Sequence, residues 1–211
     1  LNEAIAQVSY EKDGVRYQRE YFASYPDNII VIRLTADKKG AISFTLRPEI
    51  PYLERKERRG SISAEGDLLT LKGSIALFSC NFEGQIKVLN EGGTLKTNQK
   101  SLEVSKADAV TILIATGTNY RLHENTFRNS SSKKLNPKEF PHDQVSARIQ
   151  AAQAKGYKEL KEGHLKDYQD LFGRVAVNLN SMPSTDPTHI LLEKYKAGKT
   201  NNWLEELMFQ Y

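Results

Sequence analysis

Between Ala4 and Gly117, apolar and polar residues alternate with a period of two, the spacing of a strand that buries one face. Val15, Tyr17 and Tyr21 fall on one side of the first long run, and Arg16, Gln18 and Glu20 on the other. Ile42, Phe44 and Leu46 alternate with Ser43, Thr45 and Arg47. Leu69 with Leu71, Phe78 with Cys80, Ile86 with Val88, and Leu102 with Val104 keep the same period. The run Ile29 to Leu34 is apolar at almost every residue, which predicts a strand buried on both faces. Asp13-Gly14 is a two-residue hairpin signal, and Ser24-Tyr25-Pro26-Asp27-Asn28 a tight polar turn. Lys38-Lys39-Gly40, Glu65-Gly66-Asp67 and Glu91-Gly92-Gly93 punctuate the rest. Tight connections without intervening helices require antiparallel pairing. Many short strands at this spacing predict a mainly β domain over residues 1–119, an antiparallel β-sandwich of two sheets.

The pattern then changes. Residues 120–142 read as a long polar loop centred on Ser130-Ser131-Ser132-Lys133-Lys134, a length that marks a functional or mobile segment. Helical spacing follows over 143–173, a linker with Asp143 as the N-cap and Val145, Ile149 and Ala152 on one face. Gly156 interrupts it, and Tyr157, Leu160, His164, Tyr168 and Leu171 continue the spacing up to a terminal Gly173. Val175, Val177 and Leu179 predict a returning strand over 174–180. Asp186-Pro187 reads as a cap with proline in the first helical position, opening a helical segment over 186–211. Its last helix starts near Asn202 with Glu205 as capping-box partner and Leu204, Leu207, Met208 and Tyr211 as the apolar face.

Several motifs together carry a family resemblance. Arg19-Glu20-Tyr21-Phe22-Ala23-Ser24-Tyr25-Pro26-Asp27-Asn28 precedes an apolar strand and Thr35-Ala36-Asp37. Ala107-Asp108-Ala109-Val110-Thr111 enters a later strand, and Ala115-Thr116-Gly117-Thr118-Asn119-Tyr120 leaves it. His164 to Val175 and the terminal Leu207-Met208-Phe209-Gln210-Tyr211 follow in order. In this the chain resembles the amino-terminal β-domain, with its linker, of glycoside hydrolase family 95, the family of α-L-fucosidases and related α-L-galactosidases. The resemblance implies a supersandwich-like β-domain and, over 186–211, the opening of an (α/α)6 catalytic barrel. It further implies a parent that removes terminal α-L-fucose, or a related L-sugar, from oligosaccharides by inversion without a metal. The family's catalytic residues lie in the barrel, so none is expected before Tyr211. The family's opening strands are likewise expected to precede Leu1. Periplasmic or secreted localisation is what the resemblance suggests. Intramolecular packing against the helical catalytic domain is the expected partnership, with no cofactor.

Composition narrows the alternatives. Thirty basic and 26 acidic residues leave a formal charge of +4. No arginine-rich stretch with interleaved aromatics accompanies it, so no nucleic-acid partner is expected. The run Glu54 to Arg59 mixes both signs and reads as a solvated loop. No apolar run reaches membrane-spanning length. The single cysteine, Cys80, lies in an apolar run from Ile75 and reads as a small core residue of a strand. Asn129-Ser130-Ser131 matches the N-glycosylation triplet, a pattern frequent by chance.

An inverting glycosidase needs a carboxylic acid and a carboxylate flanking the scissile bond. The carboxylates that invite inspection are Glu20, Asp27, Glu83 and Asp108. Glu20 reads as a residue of a solvated strand face, and Asp27 and Asp108 as turn residues at strand entrances. His123, His142, His164 and His189 show no metal-ligand spacing, and His164 on an apolar helical face reads as a packing residue. No nucleophile elbow, Walker loop or dinucleotide fingerprint is present. The ten tyrosines and eight phenylalanines mostly take inward positions and read as core. A free-standing carbohydrate-binding module is the main alternative reading. The 120–142 loop is expected to reach toward a neighbouring catalytic domain and trim the rim of its cleft.

Overall fold

The computed structural model describes residues 1–51, 53–56 and 58–211, with the backbone alone of Asn125 and Ser132. Of the mixed charge run, Glu57 lies outside the described residues. The chain divides into two compact units, one of Ile5–His164 and one of Leu1–Ala4 with Leu165–Tyr211.

Among the described residues, ten strands build the larger unit: β1 (Ala6–Lys12), β2 (Val15–Ser24), β3 (Ile29–Ala36), β4 (Ile42–Leu46), β5 (Arg58–Glu65), β6 (Leu68–Ile75), β7 (Cys80–Glu91), β8 (Thr94–Asn98), β9 (Ser101–Ala107) and β10 (Ala109–Thr118). A short α1 (Glu124–Arg128) and the first part of the long α2 (His142–Phe172) complete it. The strands form a seven-stranded sheet, ordered β1-β2-β3-β10-β7-β6-β5, and a three-stranded sheet, β4-β9-β8. Every pairing is antiparallel. The first turn follows its sequence closely: Lys12 pairs with Val15, while Asp13 (φ 54°) and Gly14 (φ 71°) adopt the positive φ that a primed two-residue turn demands.

Period-two alternation gives the large sheet two unlike faces. Ile32, Leu34, Leu69, Val88, Val110 and Ile112 meet Ile42, Leu102 and Val104 of the small sheet in one core. Phe22, Ile29, Val31, Leu113 and Ala115 meet Val145, Ile149, Ala152 and Leu160 of α2 in the other. The large sheet is thus the middle of three layers, a sandwich on one side and a helix on the other. In β3 the continuous apolar run serves both cores, as its pattern predicts, up to Ile30, which remains 45% exposed where it lies at the strand's end.

Other expectations need correction. The run from Ile75 to Cys80 is a turn: Ile75 pairs with Cys80, and Ala76–Phe78 form a 3-10 segment between β6 and β7. Leu77 and Phe78 are exposed, and Cys80 is half-buried, with burial pushing its thiol pKa upward. An apolar run cannot signal its own reversal when the turn residues lack glycine and proline. The 120–142 segment contains a helical turn, α1, and a 3-10 turn at Ser131–Lys133. The long helix begins at His142, so Asp143 lies in its first turn and Pro141 accepts the bond from Val145 N. Many aromatics also stand outward, among them Tyr25, Tyr120, Phe127 and Phe140.

The smaller unit holds the end of α2, α3 (Thr188–Lys196) and α4 (Asn202–Gln210). Leu191 and Leu204 are its buried apolar residues, and Tyr168 stacks on Phe172. The returning strand expected over 174–180 is absent from the described residues. Side chains of α4 occupy the backbone groups that a strand partner would need: Gln210 Nε2 donates to Val175 O, Asn202 Nδ2 to Leu179 O, and Leu179 N to Glu206. Alternation supplies a strand's face but not a neighbouring edge. Two caps shift by one residue. Pro187 precedes α3 while Asp186 pairs with Lys194. Asn201, not Asn202, caps α4 by accepting from Leu204 N at 2.9 Å, leaving Glu205 to accept from Tyr195. Gly173 bonds to Gln169 O at the end of α2 without the left-handed φ of a glycine cap.

Candidate functional site

The face of the large sheet that meets α2 carries most of the chain's organised polar chemistry. Two glycines shape it. At Gly117 a Cβ would stand 2.8 Å from Val145 Cγ2 and 3.0 Å from Pro141 Cβ, so the bare backbone lets the start of α2 press onto β10. At Gly156 a φ of 74° and ψ of 170° break the helical path, so α2 is two helices joined at a kink, where the sequence expects the interruption.

Three of the four inspected carboxylates hold this helix. Glu20 lies opposite Arg33 in the β2–β3 ladder. It accepts from Lys161 Nζ at 2.9 Å and from the Tyr157 hydroxyl. Arg33 stacks 5.1 Å above the Tyr157 ring and donates to Thr111 Oγ1 at 2.8 Å. Burial opposes the Glu20 charge, yet the bonds from Tyr157 and Lys161 and the charges of Lys161 and Arg33 outweigh it, holding the carboxyl below the usual glutamate value. Burial and the bond to Glu20 raise the Tyr157 phenol. For Lys161, burial acts downward, but the bond to Glu20 and the tyrosine's contribution carry the ammonium upward. Glu20 is therefore not on a solvated face. The residue pairs that reveal this are Glu20 with Phe22 and Ser24 at the same parity, all turned toward the helix.

Asp27, in the β2–β3 turn, accepts from Ser24 Oγ at 2.5 Å and from Lys155 Nζ at 2.6 Å. Its turn role holds, with an added tie to α2. Glu83, whose side chain is 1% exposed, bonds His142 Nδ1 at 2.8 Å and accepts from Gln85 Nε2 at 2.8 Å, which also reaches Ser146 Oγ. Asp108 lies apart and accepts from Gly40 N at 2.7 Å, stapling the β3–β4 turn. The structure thus gives each carboxylate its own anchoring partners.

Sequence reasoning passed over a pair of asparagines. Asn119 Oδ1 accepts from Asn81 N at 2.9 Å, while its Nδ2 donates to Ser79 O and Asn136 O. Asn81 Nδ2 donates to Pro137 O and Glu139 O. Together they hold the approach to α2 against the ends of β7 and β10. Their signal was Asn81 itself, a polar residue at the same parity as Glu83 and Gln85 in β7. Buried polar groups at period two need partners, and here the 136–146 segment supplies them.

Of the histidines, His142 binds Glu83, and His164 is buried with its ring stacked 4.9 Å from Phe22. Among the described residues no three His, Cys, Asp or Glu side chains converge as metal ligands. Among them, too, no helix is long and apolar enough to cross a membrane.

Comparison with known families places this architecture. Residues 1–123 match the model described as glycosyl hydrolase family 65, N-terminal domain. The chain belongs to this family. Beyond the family 65 N-terminal domain, residues 156–211 match the glycosyl hydrolase family 95 catalytic domain. That second match begins at the Gly156 break and includes the rest of α2 as well as α3 and α4. The chain is 28% identical to "Alpha-L-fucosidase 2" of Arabidopsis thaliana, over all of this chain and 27% of that protein. It is also 28% identical to "Probable alpha-fucosidase A" of Aspergillus niger, over all of this chain and 26% of that protein. These matches bear out the resemblance to the amino-terminal part of a family 95 α-L-fucosidase-like protein, and the chain spans about a quarter of the length of these relatives. The fold is shared with a solved "Putative kojibiose phosphorylase from human microbiome", with a TM-score of 0.53 and 9% identity over 81% of this chain and 24% of that one.

Proposed function

We propose that this chain is the non-catalytic amino-terminal part of a glycoside hydrolase that removes terminal α-L-fucose, or a related L-sugar, from oligosaccharides with inversion. The observation that carries this reading is the succession of two matches in one chain, a family 65 N-terminal domain followed by a family 95 catalytic-domain segment. Whole-chain similarity to two α-fucosidases supports it. The bonding of Glu20, Asp27 and Glu83 supports the non-catalytic role. An inverting acid–base pair needs two carboxyl groups facing a space that admits sugar and water, whereas these three are committed to α2 and the turn before it. The β-domain on this reading is a scaffold for the barrel that residues 186–211 open.

The test is fucose release from 2′-fucosyllactose by a purified 211-residue chain and by the longer parent. The parent should release fucose and the chain alone should not. Turnover by the chain alone, removed by no trace contaminant, would overturn the non-catalytic assignment.

A further inference from the structure

We propose that the cleft between the end of β10 and the start of α2 is a subsite for a neutral oligosaccharide, a binding function separate from bond cleavage. The cleft encloses about 680 Å³ and is lined by residues 118–121 on one side and by 138–141 with Asp143 and Gln144 on the other. That size falls within the range of small-ligand sites.

Three features select the ligand class. Tyr120 and Phe140 stand at the cleft with 50% and 53% of their surface exposed, although nothing in the larger unit's two cores requires them there. An aromatic ring beside polar groups suits a sugar, whose C–H face packs on the ring while its hydroxyls both donate and accept. The charges also balance: Arg121 and Lys138 line the cleft together with Glu139 and Asp143, and Arg121 lies 4.0 Å from Glu139. An anionic ligand would meet as much repulsion as attraction, whereas a neutral polyol can use each group, and Gln144, as donor or acceptor. Finally, the walls are held in place before any ligand arrives. Asn119 and Asn81 fix the carbonyls of Asn136, Pro137 and Glu139, and Asn136 Oδ1 accepts from Lys138 N at 3.0 Å. Preorganisation of this kind lowers the ordering cost of binding.

The choice of probe rests on the oligosaccharide reading of the parent; the binding measurement does not. The isotope-labelled 211-residue chain is titrated with 2′-fucosyllactose and with lactose while its amide resonances are followed. Saturable shifts should concentrate in residues 118–121 and 138–144, with a dissociation constant in the millimolar range or below. Tyr120→Ala and Phe140→Ala should each weaken binding about fivefold or more, Tyr120→Phe should retain most of it, and Tyr25→Ala, at an exposed ring elsewhere, should leave it unchanged. Absence of saturable shifts, shifts centred elsewhere, or indifference to both alanine variants would overturn the proposal. So would a lowered melting temperature of the longer parent on Tyr120→Ala without any sugar binding, which would mark the cleft as a packing surface between domains. Should an alanine variant misfold, the wild-type shift map still decides. Loss of the hydrolase reading would appear separately, as a parent that binds sugar at this cleft but releases no fucose.

Discussion

Replacing Gly117 with alanine inverts the usual effect of that substitution. Gly117 lacks the left-handed φ that disfavours a side chain, so the change should stabilise by about 0.4–1 kcal/mol through the unfolded chain alone. The added Cβ, however, would meet Val145 Cγ2 at 2.8 Å and Pro141 Cβ at 3.0 Å. Val145 is fully buried and cannot yield without moving the start of α2. Overpacking of this kind costs about 1–3 kcal/mol, so the net effect should be destabilising by about 0.5–2 kcal/mol. Val145→Ala removes the clashing methyl group together with buried surface, and should itself cost about 1.5–2 kcal/mol at roughly 0.8 per lost methylene. If the close approach of β10 and α2 is the cause, the double variant should be more stable than the sum of the singles by about 1 kcal/mol, well outside the additivity expected of independent sites. Urea unfolding of the four proteins, followed by circular dichroism, measures the cycle. Additivity within about 0.5 kcal/mol, or stabilisation by Gly117→Ala alone, would refute the packing argument.

Two further outcomes follow from the polar anchors. Glu20→Gln should destabilise by about 1–3 kcal/mol at neutral pH, through loss of the charged acceptor of Tyr157 and Lys161. Because folding lowers the Glu20 pKa, this advantage of the wild type is complete above the ordinary glutamate value of about 4.3 and fades as pH falls through the lower folded value. A difference between the two proteins that grew on acidification would contradict the assignment. Asn201→Ala should cost about 1 kcal/mol and reduce the helicity of α4, whereas Asn202→Ala should do so only through its bond to Leu179 O; equal loss of helicity from both, measured by circular dichroism, would contradict the placement of the cap.

Local signals were legible in the sequence. Alternation and turn residues marked most strands of the sandwich, because pleat direction and turn φ depend on neighbours one or two residues away; β5, whose Arg58 and Arg59 read as part of a charged loop, and β8 went unmarked. The Asp13-Gly14 hairpin and the apolar stripe of Val145, Ile149 and Ala152 stand where their spacing puts them. The family resemblance was legible for the same reason, as ordered motifs in a linear chain.

What tertiary structure alone decided is which polar residues are buried and by whom. Glu20 has the alternation of a solvated strand residue, but its partners Tyr157 and Lys161 lie 137 and 141 residues further along. No local rule carries that pairing; it exists because α2 folds back over β2 and β3. The returning strand over 174–180 failed for a related reason, since a ladder needs a neighbouring edge and α4 supplied side-chain bonds instead. Periodicity reports how a segment would fit a surface, and only the assembled fold provides the surface.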